Sequence, residues 1–335
     1  MVAPALGKGD LVPALACLWF DGQRVLAYDD HIGISAPCAA GIHGGLNGAL
    51  LLPFLERSGL KEIDIIVKDT VTFTMGSGKD QARLKLSLMD KGHAPFIMPK
   101  PKGTTTTGDA KQFGAALKHC LKSVGNDVSR PEWFGITLEV KDKSLWMYSG
   151  TGQTLVRAEV QLHSKPKFKR TILPAAFCEQ LLAHAKDKKA QLEIHDDHAM
   201  LSSGDILVFG RAIAAEEALD MWDIVETALA KGGDYIPTPT LRFMLDRADL
   251  FDTGDLNMNL TVNGSKVKGK STLTLFSSSA SGELNDSKQI DAHPEVSVQT
   301  NVKHLRSGAD LDEMTINEDN IIMRSDDIVQ VISVA

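Results

Sequence analysis

Residues 134–162, FGITLEVKDKSLWMYSGTGQTLVRAEVQL, then 171–189, TILPAAFCEQLLAHAKDKK, then 190–214, AQLEIHDDHAMLSSGDILVFGRAIA, contain the plan of the whole chain. The first stretch alternates apolar and polar residues around a turn at KDK, a period of two that predicts a strand ladder. The second predicts an apolar helix opening at Thr171, and the third alternates on both sides of a turn rich in Asp and Gly, which predicts a strand pair.

The same order occurs twice more. Ladders at 16–35 (ACLWFDGQRVLAYDDHIGIS) and 256–284 (LNMNLTVNGSKVKGKSTLTLFSSSASGEL) turn at DG and NG. Helices are expected to open at Asn47 and Thr300, offset from Thr171 by 124 and 129 residues, and strand pairs follow from Ile63 and Glu313. An amphipathic helix at 109–125 (DAKQFGAALKHCLKSVG) precedes the second ladder, and TLRFMLDRADLF, 240–251, precedes the third. About a dozen residues precede the first ladder, so the first unit reads as shortened. Linkers rich in Gly, Pro and Thr at 98–109 and 230–240 divide the chain into expected domains 1–99, 100–230 and 231–335. The fold class is α+β in three tandem units, an arrangement that tends toward an arc or ring.

The 335 residues carry 36 Lys and Arg against 43 Asp and Glu, a formal charge of −7, which argues against a protein that coats nucleic acid with its whole surface. No run approaches the length of an apolar membrane span, and a soluble, cytoplasmic chain is expected. Cys17, Cys38, Cys120 and Cys178 form no CxxC pair and read as buried thiols. MGSGKD at Met75 lacks the first Gly of a P-loop, where Phe73 stands, and has Asp80 in place of Ser or Thr. HDDH at 195–198 sits at a strand end, where adjacent side chains diverge and suit no metal. HGGLNG at His43 lacks a GxSxG partner, and SGTGQT at Ser149 reads as a strand connection. No catalytic constellation, metal site or cofactor is expected.

Charge is segregated, however. From Lys100 to Arg130 six basic residues face two acidic ones, and Lys111, Lys118 and Lys122 share one helical face. Arg57, Arg242, Arg247, Lys303 and Arg306 add basic points on the other helices. Such a face suits solvent or phosphate equally.

Residues 134–214, in the order ladder, basic loop, helix, strand pair, resemble the middle domain of bacterial-type DNA polymerase III beta sliding clamps, and the flanking thirds are similar to the clamp's other domains. The resemblance implies a homodimeric ring of clamp-fold repeats, sheets outside and helices inside, around duplex DNA, with the basic residues above and Arg130 facing phosphate. It implies a processivity factor, not an enzyme, that tethers polymerase and clamp loader through short peptides. The matching cleft comprises Trp133, Gly150, Gly152, Gln153, Thr154, Leu155, Val225, Val329 and Val331, although Leu155, Val329 and Val331 suit plain core strands too. It also implies a dimer interface of Phe96 and Ile97 against Leu250 and Phe251, and the last pair could equally cap its own core. Thr151–Leu155 replaces Asp-Gly-His-Arg-Leu, and VISVA replaces Met-Pro-Met-Arg-Leu, departures that imply a divergent member of the kind a virus or plasmid carries. The competing reading is a clamp-like peptide-binding adaptor, or a decoy of a replisome, that does not encircle DNA.

Overall fold

Turn chemistry sets the strands. In a computed structural model, which describes all residues except 10, 59–61, 77–80, 97–108, 128, 164–169, 185–190, 196, 216–218, 249–256, 280–281 and 335, each expected ladder is an antiparallel meander. Asp142 and Gly22 take positive φ, 56° and 96°, at the tight turns of KDK and DG, as short hairpin loops require. The NG expectation differs: Asn263 and Gly264 remain paired with Thr272 and Ser271, and the chain reverses beyond them, where Gly269 takes φ 73°.

The chain divides into two compact units, Met1–Ala110 with Glu179–Ala212, and Lys111–Cys178 with Ile213–Ala335. In the first, β1 (Cys17–Asp21), β2 (Arg24–Tyr28), β3 (Ile32–Pro37) and β4 (His43–Asn47) lead into α1 (Gly48–Ser58), where the Asn47 side chain accepts a bond from Leu50 N. There follow β5 (Asp64–Val67), β6 (Thr70–Met75) and β7 (Ala82–Ser87), a separate three-stranded sheet.

The second unit opens with α2 (Ala110–Lys122), α3 (Pro131–Phe134), β8 (Gly135–Lys141), β9 (Ser144–Gly150), β10 (Thr154–Gln161) and β11 (Thr171–Pro174). After α4 (Ala175–His184) the chain supplies β12 (Gln191–Ile194), β13 (His198–Ser203) and β14 (Ile206–Arg211) to the first unit. It then forms β15 (Ile213–Ala214), α5 (Met221–Ala230), β16 (Ile236–Pro237) and α6 (Thr238–Ala248). The last third comprises β17 (Asn257–Gly264), β18 (Lys270–Ser279), β19 (Gly282–Asp291), β20 (Val296–Asn301), α7 (Val302–Gly308), β21 (Glu313–Ile316), β22 (Asn320–Arg324) and β23 (Ile328–Ser333).

Three features differ from the expectation. Thr171 and Thr300 lie in strands, and the helices begin at Ala175 and Val302. Thr171–Leu173 is β-branched or apolar and pairs with both β8 and β15, so sheet pairing overrides the apolar run. Each strand pair has three strands. Helix α5 falls just before the expected linker, with Met221, Val225 and Ala228 buried at helical spacing and Asp220 accepting from Trp222 N.

Pairing follows one rule in both units. The last strand of a three-stranded half joins the third strand of the preceding ladder: β14 to β3 in the seven-stranded sheet, and β23 to β10 in the nine-stranded sheet. Two half-sheets remain separate among the described residues, β5-β6-β7 and β19-β18-β17-β20.

Candidate functional site

The β10–β23 joint lies in the second unit. Its register sets Leu155 opposite Val331 and Arg157 opposite Val329, while Gly150 and Tyr148 of β9 flank Leu155 and Arg157 on the other side. Residues opposite one another across strands share a face, so one face carries Trp146, Tyr148, Gly150, Leu155, Arg157, Val329 and Val331. Helix α5 covers it. Tyr148, Leu155, Met221, Val225, Ala228, Ile322 and Val331 form a buried cluster, with Trp133, Trp146, Trp222, Leu229 and Val329 half-buried around it. Each fully buried Leu or Val there contributes about 1.5–3 kcal/mol by leaving water.

Gly150 fits Trp133 by having no side chain. A Cβ there would lie 2.8 Å from the Trp133 ring and 2.7 Å from Thr154 O. The Thr151–Thr154 turn is held by Thr151 Oγ1, which accepts from Gln153 N and Thr154 N, and by Ser333 N donating to Gln153 O at 2.8 Å. His304 Nε2 contacts Gln153 Oε1 at 2.8 Å, and burial together with neighbouring Lys303 holds the His304 imidazole below its ordinary pKa.

Arg157 is the exceptional residue of this face. Only 8% exposed, it pairs with Glu226 of α5, and its guanidinium carbon lies 5.1 Å and 4.8 Å from the ring centres of Trp146 and Trp222. The two indoles meet edge to face at 4.7 Å, and Lys141 Nζ sits 4.0 Å over Trp222. Arg157, Leu229 and Val329 line a cavity of about 510 Å³ whose other walls include Arg324, Glu313 and Asp312. Tyr148 is wholly buried with its hydroxyl unbonded, and burial raises its pKa.

Of the residues expected in the cleft, Leu155, Val225, Val329 and Val331 join one cluster with Trp133, and Gly150 and Thr154 border it. Gly152 and Gln153 are exposed on the turn. Sequence reasoning missed Trp146, Arg157 and Trp222. Strand periodicity could have found the first two, since Arg157 lies two residues from Leu155 and Trp146 four from Gly150, on the same strand faces.

Several of the basic residues bond within the chain. Lys122 Nζ binds Asp310 at 2.8 Å, Arg247 pairs with Asp286, and Arg242 and Arg306 donate to the carbonyls of Ala309 and Leu245. Arg57, Lys111, Lys118, Arg130 and Lys303 are exposed. Burial pushes the Asp310 carboxyl up, but the Lys122 hydrogen bond and the charges of His119 and Lys122 outweigh it, leaving the carboxyl below its ordinary pKa. Phe96 packs with Trp19, Tyr28 and Phe209 inside the first unit, whereas Ile97, Leu250 and Phe251 lie outside the described residues. His195 and His198 do meet, rings stacked at 4.4 Å across their turn, although the described residues include no set of three or more ligands for a metal. No described helix is long and apolar enough to cross a membrane.

Antiparallel ladders, each followed by a helix and a three-stranded half-sheet and joined by one pairing rule, define the DNA polymerase sliding-clamp fold. Solved structures agree over the whole chain. The DNA polymerase sliding clamp of Bacillus subtilis matches with TM-score 0.83 at 14% identity, covering 100% of this chain and 94% of its own. The DNA polymerase III subunit beta of Pseudomonas aeruginosa (TM-score 0.80) and the beta subunit of Thermotoga maritima (0.78) match at 16% identity, covering 100% of this chain and 95% of theirs. No protein-family model matches the sequence, and no curated relative matches it.

Proposed function

We propose that this chain is a DNA polymerase processivity factor, two copies of which close into a ring around duplex DNA and tether polymerase and clamp loader by short peptides. The observation that carries the reading is the pair of separate half-sheets. Applied between two copies, the rule that joins β14 to β3 and β23 to β10 joins β7 of one copy to β19 of the other. Both are edge strands, and β19 exposes most of its length. An open edge of ten residues is a liability unless a partner covers it. Two such joints close a dimer. Leu84 of β7 thereby becomes an interface candidate alongside Leu250 and Phe251, while Phe96 serves its own aromatic cluster.

A ring needs no tight grip on DNA, because topology prevents sideways escape and each fixed phosphate contact would hinder sliding. Exposed Lys111, Lys118, Arg130 and Lys303 suit that weak contact. The peptide site of this reading is the apolar cluster of Trp133, Leu155 and Val331 under α5, with the half-buried Trp133 indole at its edge. The engagement of Lys122, Arg242, Arg247 and Arg306 within the chain favours a second reading, an adaptor that binds peptides without encircling DNA.

Loading on nicked circular DNA separates the two. Retention through gel filtration, lost when the circle is linearised, is the expected result. Equal retention on both forms, or on neither, refutes the ring.

A further inference from the structure

We propose that Arg157 is a specificity residue of this cleft that reads an acidic side chain on the docked peptide, with Glu226 holding the guanidinium in the free chain. The inference rests on the peptide-cleft reading above. Leu155 and Arg157 lie on one face of β10, two residues apart, and Arg157 walls a cavity with Leu229 and Val329. A peptide anchored on Leu155 therefore presents a neighbouring residue to the guanidinium.

A guanidinium placed among indoles and aliphatic side chains loses hydration that only directed partners replace. The partner present is incomplete. Glu226 bonds a single nitrogen, Nη1, and its own side chain is 48% exposed. None of the other Arg157 nitrogens is among the buried polar atoms left without a partner, and the residue lines the cavity. A planar fork with donors beyond the one that Glu226 takes, at a cavity wall, matches a carboxylate.

Acidic residues also border the cavity, and magnitude decides between them. Glu313 is neutralised by Arg324 at 3.0 Å, and Asp312 and Asp326 are exposed. Charges at a wet rim are screened, whereas the inner cation acts through a lower effective dielectric. The inner end therefore dominates, and a lysine reaching it would meet Arg157 after leaving water.

The test is fluorescence anisotropy on the full chain with labelled, amidated hexapeptides. Each contains one Leu, and carries Glu, Gln or Lys at each flanking position in turn; a further Gln peptide keeps its free C-terminal carboxylate. The expected order is Glu over Gln by about tenfold at one position, with Lys weakest. Arg157→Gln should abolish the Glu preference while the Gln peptide still binds, Arg157→Lys should restore part of it, and Glu226→Gln should widen it. Equal affinity for Glu and Gln on the native chain overturns the inference and leaves the cleft intact. Preference for the free C-terminus over internal Glu overturns the side-chain assignment, and failure of every peptide overturns the cleft reading with it. If Arg157→Gln does not fold, Glu226→Gln decides: a widened preference supports the inference, and an unchanged one refutes it.

Discussion

Leu84→Asp tests the ring most directly. Leu84 lies half-buried on β7, on the same face as buried Leu86, and in the proposed dimer β7 meets β19 of the second copy. Full burial of a Leu is worth about 1.5–3 kcal/mol, and since Leu84 is already partly covered, each joint gains roughly 1 kcal/mol from it. An aspartate there forfeits that gain and adds about 1 kcal/mol for dehydrating a carboxylate with imperfect partners. The sum is near 2 kcal/mol per joint, and a closed ring has two joints. Dimer affinity should therefore fall by about 4 kcal/mol, close to a thousandfold. Sedimentation velocity over a dilution series measures it, and retention on circular DNA should fall in parallel. Because β7 is an edge strand, the thermal midpoint of the monomer should move little, within the range of ordinary surface substitutions. A variant that dimerises with native affinity would remove β7 from the interface. A native chain that stays monomeric at every concentration would refute the pairing argument altogether.

Charge pairing yields a second expectation: Lys118→Glu should weaken retention on circular DNA and reduce the salt slope by about one, whereas Lys122→Ala, whose charge Asp310 already matches, should change the slope less. Equal effects would remove the distinction between Lys118 and the Asp310-bound Lys122. The same pair predicts a pH dependence. The Asp310 carboxyl titrates below its unfolded value, so its contribution is present above about pH 4 and disappears as pH falls through the folded pKa. The difference in thermal midpoint between native chain and Lys122→Ala should accordingly shrink from pH 6 to pH 3; a difference that grows on acidification contradicts the assignment. Finally, Gly150→Ala should displace the Trp133 ring, shifting indole emission to the red and weakening peptide binding several-fold, and unaltered emission would show that Trp133 does not rest on Gly150.

Much of the apolar cluster under α5 was legible as a list of residues, but not as one cluster. Leu155, Val329 and Val331 looked like ordinary core strand positions, and they are buried as such. What joins them into one cluster is α5 above them and Trp133 beside them. Met221, Val225 and Ala228 hold helical spacing, but they adjoin a Gly- and Pro-rich stretch whose pattern is that of a linker. The strand at Thr171 was mistaken for a helix opening because a four-residue apolar run carries no period of its own.

The linear order of residues was enough to establish the alternating ladders, the thrice-repeated order of ladder, helix and hairpin, and the α+β class, because strand and helix periods are written between near neighbours. Only the folded chain decided that β23 joins β10, that Arg157 is buried against Glu226 across 69 residues, and that Lys122 spends its charge on Asp310 across 188. Such pairings depend on the free energy of contacts between distant segments, and no local pattern records which distant partner a side chain will meet.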